Sequence, residues 1–463
     1  MAVGCKTDGN FYIMKSVYCF LSAFLAMAGV PADGMALGGK WRGELNMGFA
    51  KMPLVFNFSE EADGKTAATM DSPQQNAKDI PLEVLFCSPD SVSLECKMIG
   101  ATYCGRIGEG SIEGTFSQRG FNLPLTLTPE EDVSVRRPQT PKPPFPYIEK
   151  DTVFRSADGT ELAGTLVIPE GAAGKRVPVV VMVTGSGPQN RDEEVFEHRP
   201  FAVIADWLAR QGIASFRYDD RGVASSKGNY SEATIPTFKS DAESALKFVR
   251  GVPGLGKAGI LGHSEGGMLA VLIAAEKKPD FIVSLAGVAV PAEEMLITQN
   301  IHALEKFGID GAGKDASVKF LRILFDTIRK QYSAGVLNPI DIDSICRENS
   351  LEVPPLVLES VRRNMQTRNG YFDSLVSCDP TGALKKIKCP VLAINGTKDM
   401  QVNADVNLEA FRKNVKNVEI RRMEGLNHTM QHAVTGELTE YGEIRETISP
   451  EVLEIISDFI SRQ

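Results

Sequence analysis

The sequence predicts an α/β protein: a doubly wound, mostly parallel sheet with a helical cap, preceded by a small all-β domain. Three observations carry this. Between residues 147 and 463, apolar strand-like runs alternate with amphipathic helical segments, the pattern of a sheet covered by helices on both faces. Between residues 40 and 130, apolar residues instead recur at every second position, as in half-buried antiparallel strands. Joining the two is "RRPQTPKPPFPY", whose five prolines from Pro138 to Pro146 favour an extended, semi-rigid spacer.

Residues 1–36 read as an extension followed by a signal peptide. "MKSVYCFLSAFLAMAGVPADGMA" starts at Met14, places Lys15 ahead of an apolar run from Val17 to Val30, and ends in small residues suited to cleavage after Ala28 or Ala36. The thirteen residues before Met14 put "CKTDGN" ahead of that basic start and read as an upstream extension. No cysteine closes the apolar run, so a lipid anchor is not expected. The mature chain is expected to be exported, to the periplasm or the medium.

Residues 37–130 form the expected all-β domain, a sandwich or partial barrel. "PLVFNF" alternates Leu54, Phe56 and Phe58; "SVSLECKM" alternates Val92, Leu94, Cys96 and Met98; "FNLPLTL" alternates Phe121, Leu123, Leu125 and Leu127. Turns such as "SPDS" and "SQRG" fall between them. Trp41, at the head of a strand, reads as core rather than as the wall of a ligand groove. Residues 131–146 are the proline-rich linker, and residues 147–463 the second domain.

In that domain "PVVVMVTG" (178–185) is an almost wholly apolar run ending in glycine, as a strand buried on both faces should be. "FAVIADWLARQG" follows as an amphipathic helix with a glycine at its end. The strand "IASFRYDD", the helix "FKSDAESALKFVRG", the strand "AGILGH" and the helix "SEGGMLAVLIAAEKK" continue the rhythm. "FIVSLAGVAV", "CPVLAINGTKD" and "VEIRRMEG" are three more strands, and "PEVLEIISDFISR" is a closing helix. Some hundred residues without strand character separate the strands at 281–290 and 389–396. Val318, Leu321, Phe325 and Ile328 share a helical face there, so residues of about 291–385 are expected to form the helical cap.

Composition excludes several classes of function. A net charge of −9 argues against nucleic acid as a partner, and 43% hydrophobic with 24% charged residues describes an ordinary globular chain. No apolar run in the mature chain is long enough to span a bilayer. Of eight cysteines, six would remain after cleavage, three of them at 87, 96 and 104; this is no dense disulfide framework, and free thiols are expected. The five histidines show no zinc-site spacing, so neither a metal nor a cofactor is expected. Oligomeric state is left open.

The chemistry is concentrated in "ILGHSEGG" (260–267), where Gly262-His263-Ser264-Glu265-Gly266 is a Gly-x-Ser-x-Gly pattern between a strand and a helix. That pattern suits a nucleophilic serine on a sharp strand-to-helix turn, where side chains at either glycine would clash. A serine alcohol needs a base oriented by an acid. Asp399 emerges after the strand in "VLAINGTKD", and His428 follows the next strand in "EGLNHTMQH". Ser264, Asp399 and His428 are therefore the candidate catalytic residues, with Asp373 and Asp379 as alternative acids and His432 as the alternative base. His263 reads as a packed neighbour, while His198 and His302 lack supporting context. Oxyanion stabilisation needs N–H donors. The loop "TGSGPQNRDE", with a glycine on each side of Ser186, makes the Ser186 and Glu265 N–H groups the candidate pair. "YDDRG" (218–222) reads as a structural ion pair with turn chemistry.

"VTGSGPQNRDE", "YDDRG", "GHSEGG", "INGTKD" and "GLNH", in this order, resemble the α/β-hydrolase superfamily. The resemblance is closest to exported bacterial serine esterases with an N-terminal β-domain and a helical cap, and it covers residues 145–463. It implies a Ser264–Asp399–His428 triad acting without cofactor on short acyl esters, a small-molecule substrate. The superfamily also holds acylaminoacyl and prolyl peptidases with the same triad, so a serine peptidase is the second reading. A non-catalytic glycan- or lipid-binding protein is the third.

Overall fold

The computed structural model describes residues 37–463 apart from 47–50, 61–64, 74–76, 119, 131–135, 171–175 and 278. The expected signal peptide lies outside the described residues. The chain divides into two compact units, residues 1–136 with 195–197, and residues 137–194 with 198–463.

In the first unit, eight strands follow one another: β1 (Gly39–Asn46), β2 (Lys51–Glu60), β3 (Thr66–Ser72), β4 (Ala77–Cys87), β5 (Ser91–Cys96), β6 (Ala101–Ile107), β7 (Ile112–Gln118) and β8 (Phe121–Pro129). Each pairs antiparallel with the next, and β1 returns to β8 through Trp41↔Pro129 and Arg42↔Thr128. The domain is thus a closed barrel rather than a sandwich or partial barrel. Closure gives the backbone groups of both terminal strands a partner and leaves no sheet edge. Alternate residues point inward: Leu54, Phe56 and Phe58 from β2, Val92, Leu94 and Cys96 from β5, and Leu125 and Leu127 from β8 are all buried. Tyr103 lies among them and donates its hydroxyl to the carbonyls of Ile112 and Leu125 at 3.0 and 3.1 Å, which satisfies a polar group that burial would otherwise penalise. The alternation ends sooner than expected. Strand β5 stops at Cys96, and Met98 lies exposed in the turn after it. Trp41 is half-buried against this core and donates its indole N–H to the Gly38 carbonyl.

The proline-rich stretch is only partly a spacer. From Arg137 onward it belongs to the second unit. The Arg137 side chain is fully buried and donates to the carbonyls of Gly442 and Ile444 at 2.7 and 3.0 Å, and Gln139 donates to that of Ile448 at 2.7 Å.

The second unit is built on an eight-stranded sheet of β9 (Tyr147–Arg155), β10 (Glu161–Pro169), β11 (Val177–Val183), β12 (Ala214–Tyr218), β13 (Leu255–His263), β14 (Ile282–Leu285), β15 (Val391–Gly396) and β16 (Val418–Met423). Its spatial order is β9-β10-β12-β11-β13-β14-β15-β16. Strands β9, β10 and β12 pair antiparallel, and all pairs from β12 to β16 are parallel, so the sheet is mixed. The chain runs from β11 to β12 on one side and then returns to β13 on the other. This reversal of strand order opens a crevice at the carboxyl ends of β11 and β13.

The unbroken apolar run of β11 serves two cores at once. Val179, Val181 and Val183 share a core with Phe238 and Ala242 of α2 (Ile235–Arg250) and Met268 and Leu269 of α3 (Glu265–Lys277), which Leu408 and Phe411 of α10 (Ala404–Asn414) extend under β15 and β16. Val180 and Met182 face α1 (Pro200–Arg210) and α12 (Pro450–Ser461), through Phe201, Ile204, Val452 and Phe459. Burial of each such side chain contributes roughly 1.5–3 kcal/mol. Helix α12 shows why the sequence was readable here. Pro450 opens its first turn, and Val452, Leu453, Ile456, Phe459 and Ile460 form one stripe.

Between β14 and β15 the chain is helical: α4 (Ala292–Lys306), α5 (Gly311–Ser333), α6 (Ile342–Glu348), α7 (Pro355–Gln366), α8 (Gly370–Val376) and α9 (Thr381–Leu384). A short α11 (Leu438–Tyr441) follows β16. The insertion has its own core of Ile297, Phe320, Leu321, Leu324, Phe325, Ile328 and Ile345. Of the expected stripe, Leu321, Phe325 and Ile328 are buried in it, whereas Val318 lies at its margin and Phe320 and Leu324 go deeper. Among the described residues, no helix is long and apolar enough to cross a membrane.

Candidate active site

Ser264 stands between the last residue of β13 and the first of α3, with φ +53°. A non-glycine residue in this left-handed region carries about 1–3 kcal/mol of strain, which the surroundings must hold in place. They do so by close packing. A Cβ at Gly262 would lie 2.0 Å from the Gly266 carbonyl oxygen, and one at Gly266 would lie 2.1 Å from that of Val183. Both flanking glycines are therefore required by the turn itself. The Ser264 N–H donates to the Leu285 carbonyl at 2.9 Å, and its side chain remains half-buried.

Asp399 and His428 meet at the carboxyl ends of the next two strands beyond β14. His428 Nδ1 lies 2.8 Å from Asp399 Oδ2, and both residues are buried. The other carboxylate oxygen accepts the N–H groups of Gln401 and Val402, each at 2.8 Å, so the acid is held by its own turn. With Nδ1–H donated to a carboxylate, Nε2 is left with the lone pair a general base needs. The His428 loop is pinned in turn by Asn427, whose side-chain oxygen accepts from the Thr429 and Gln431 N–H groups at 3.1 and 3.0 Å.

The alternatives raised by the sequence are occupied elsewhere. Asp373 is buried in a two-point ion pair with Arg368, at 2.7 and 2.6 Å. Asp379 accepts from the backbone and hydroxyl of Thr381. His432 is exposed at the side chain and pairs with Glu446, and His302 pairs with Glu437. His198 is buried against Thr447 and the Tyr441 carbonyl, where burial and the nearby Arg137 charge push its pKa down to about 3.

The loop after β11 brings Gly185 against the serine: a Cβ there would lie 3.3 Å from Ser264 Cβ. "YDDRG" holds this loop. Asp219 accepts from Arg191 at both carboxylate oxygens, and Asp220 accepts from Thr184 Oγ1 at 3.1 Å and the Gln189 N–H at 3.0 Å. Arg221 forms a buried two-point pair with Asp241. Burial drives the Asp220 carboxyl well above the usual range despite its donors. Ser186 is exposed on the loop, and Glu265 supplies the first N–H of α3, a group with no intrahelical acceptor.

Three side chains near the elbow were not assigned roles from sequence. Glu193, in the polar run "PQNRDEE", accepts the Gly185 N–H at 2.6 Å and lies 2.9 Å from His263 Nδ1. His263 Nε2 lies 3.0 Å from the His428 carbonyl oxygen, so it is a linker rather than mere packing. Burial would lower the His263 pKa, but the Glu193 carboxylate outweighs it and raises the group to about 8. Tyr371, from α8, donates its hydroxyl to Glu265 at 2.5 Å. Burial raises Glu265 to about 7 against the opposing effect of that bond. Glu265 also lines a small cavity beside the elbow together with Gly185, Gly187, Asp220 and Tyr230. Nothing local to Tyr371 in the sequence signals this contact; it depends on how the insertion packs. Among the described residues, no group of three or more His, Cys, Asp or Glu side chains is arranged to hold a metal ion.

The chain is similar in sequence to known proteins. The family model described as X-Pro dipeptidyl-peptidase (S15 family) matches residues 158–433. Esterase EstD of Thermotoga maritima is 28% identical over 331 residues, covering 70% of this chain and 67% of its own length. A proline iminopeptidase of Lactobacillus delbrueckii subsp. lactis is 24% identical over 242 residues, covering 50% of this chain and 77% of its own. Among solved structures, the Pyrococcus furiosus esterase Pf2001 is 16% identical with a TM-score of 0.41, covering 68% of this chain and 91% of that one.

Proposed function

We propose that this chain, which belongs to the S15 family of X-Pro dipeptidyl-peptidases and is a hydrolase of the α/β-hydrolase superfamily, cleaves short-chain carboxylic esters through Ser264, His428 and Asp399. The observation that carries the proposal is the buried Asp399–His428 hydrogen bond beside a strained, glycine-flanked Ser264. The His263 and His428 rings lie 4.7 Å apart, which supports His428 as the base adjoining the elbow.

In this reading Ser264 Oγ attacks the ester carbonyl as His428 Nε2 takes its proton. Asp399 keeps Nδ1 protonated and balances the imidazolium that forms. The oxyanion is stabilised by the Ser186 and Glu265 N–H groups, one on the loop after β11 and one at the start of α3. His428 then returns the proton to the departing alcohol, leaving an acyl group on Ser264. Water, deprotonated by the same His428, attacks this acyl-enzyme and releases the acid. The α4–α9 insertion acts as the cap that limits acyl length. Tyr371 supports that role, since its hydroxyl joins the insertion to Glu265, the residue next to the nucleophile.

The family's description and the proline iminopeptidase relative favour a second reading, hydrolysis of peptides. Rates on p-nitrophenyl butyrate and on aminoacyl and Xaa-prolyl anilides divide the two. A kcat/KM on the ester at least tenfold above every anilide is the expected result. The reverse order would replace the ester reading with the peptidase one, and inactivity on all of them would leave a binding protein. The leader read in residues 14–36 supports export, which N-terminal sequencing of the mature protein from a periplasmic or culture fraction would check.

A further inference from the structure

We propose that Glu193 and His263 are positioning residues that lock the oxyanion loop and the base loop to the nucleophile elbow. The inference rests on the triad reading above and adds two residues to it. Three strand-end segments must keep register for acyl transfer: the loop after β11, the end of β13, and the loop after β16. One chain of hydrogen bonds crosses all three. The Gly185 N–H donates to Glu193 Oε1 at 2.6 Å, the same oxygen lies 2.9 Å from His263 Nδ1, and His263 Nε2 lies 3.0 Å from the His428 carbonyl oxygen.

The chemistry of the acceptors assigns the protons. A backbone carbonyl can only accept, so His263 Nε2 carries a hydrogen. A carboxylate is likewise an acceptor, so Nδ1 carries one as well, and His263 is an imidazolium paired with Glu193. Both side chains are buried, and a buried ion pair is held only where partners satisfy both charges. Glu193 has φ +53° in a turn closed by its N–H on the Asn190 carbonyl at 2.9 Å, a strained backbone that aims the carboxylate inward. The charged or titratable groups facing His263 are Glu193, Asp399 and the His428 ring. Its elevated pKa fits the pairing with Glu193.

The pair's hydrogen bonds go to backbone groups of the two loops and to none of the triad side chains, so its effect should fall on kcat. A displacement of about 1 Å at such a site costs on the order of 100-fold. Glu193→Ala should lower kcat on p-nitrophenyl acetate by roughly 10–100-fold, with KM within about twofold. Glu193→Gln should restore part of the loss, because an amide oxygen in the place of Oε1 still accepts the Gly185 N–H and the Nδ1–H of a neutral His263, which gives up only its bond to the His428 carbonyl. Wild-type kcat should decline as pH rises through about 8, where His263 loses its proton, and Glu193→Gln should lack that decline.

Ser264→Ala is run beside these variants. Residual esterase activity in it would defeat the triad reading itself. A dead Ser264→Ala with full kcat in Glu193→Ala would overturn only the positioning role. If Glu193→Ala does not fold, the Glu193→Gln profile decides: an alkaline limb identical to wild type overturns the proposal.

Discussion

Replacing Asp399 by asparagine tests the acid most finely, because the substitution leaves the shape of the turn intact. The amide oxygen can still accept the Gln401 and Val402 N–H groups that now reach Asp399 Oδ1 at 2.8 Å, so the loop after β15 should keep its fold. What changes is the group facing His428 Nδ1. A carboxylate oxygen 2.8 Å away becomes an NH₂ donor, which forces Nδ1 to accept and moves the ring hydrogen to Nε2. His428 then presents a donor to Ser264 where a base is required, and the developing imidazolium loses its counter-charge. Loss of tautomer and charge together corresponds to about 10⁴ in kcat, or roughly 5 kcal/mol of transition-state stabilisation. Initial rates on p-nitrophenyl butyrate at pH 7–8, with circular dichroism and Tm as controls, measure it. Asp379→Asn should be near wild type in kcat. Asp373→Asn should lose stability instead, since it leaves Arg368 in a buried site with a weakened partner. Asp399→Asn retaining more than a tenth of wild-type kcat, or Asp379→Asn matching its loss, would refute the assignment of the acid.

Further predictions concern the surroundings of the site. A truncated chain beginning at Arg137 should remain folded and hydrolyse small esters, whereas one beginning at Tyr147 should be less stable by roughly 3 kcal/mol or more. The second lacks the buried Arg137 bonds to Gly442 and Ile444, and chemical denaturation of the two compares them directly. Acetyl to butyryl esters should exceed decanoyl esters in kcat/KM, with a gradual fall because one methylene is worth at most ~1–3 kcal/mol; a rate that rises through decanoyl would mean an open groove. Glu265 has a folded pKa of about 7 against an ordinary 4.5, so it favours the fold at low pH and its contribution is lost as pH rises through 7. Glu265→Gln should therefore flatten the fall in Tm between about pH 4.5 and 7, and a Tm profile parallel to wild type would contradict the raised pKa.

Some of this was legible in the sequence and some was not, for identifiable reasons. Val179–Val183 announce a doubly buried strand because every residue in the run meets one of two cores. The glycines at 262 and 266 are equally legible, since the elbow admits no Cβ at either position. Asp399 and His428 could be placed in order but not joined, because their bond depends on β15 and β16 lying side by side. Closure of the barrel was hidden for the same kind of reason: the pairing of Trp41 with Pro129 joins the two ends of the domain. Burial of Arg137 depends on carbonyls some three hundred residues away, so no local pattern reports it. Glu193 shows the same limit at the site. In sequence it is one of several polar residues after a strand, and only the fold brings it to both Gly185 and His263.

Active-site labelling asks whether Ser264 is the nucleophile. The purified enzyme would be titrated with a fluorophosphonate, followed by peptide mass spectrometry and residual activity on p-nitrophenyl butyrate. A nucleophilic Ser264 should give one adduct per chain at that residue, activity lost in proportion to labelling, and no labelling of Ser264→Ala, whose kcat should fall on the order of 10⁶-fold. An adduct on another residue, or full activity in chains labelled at Ser264, would contradict it.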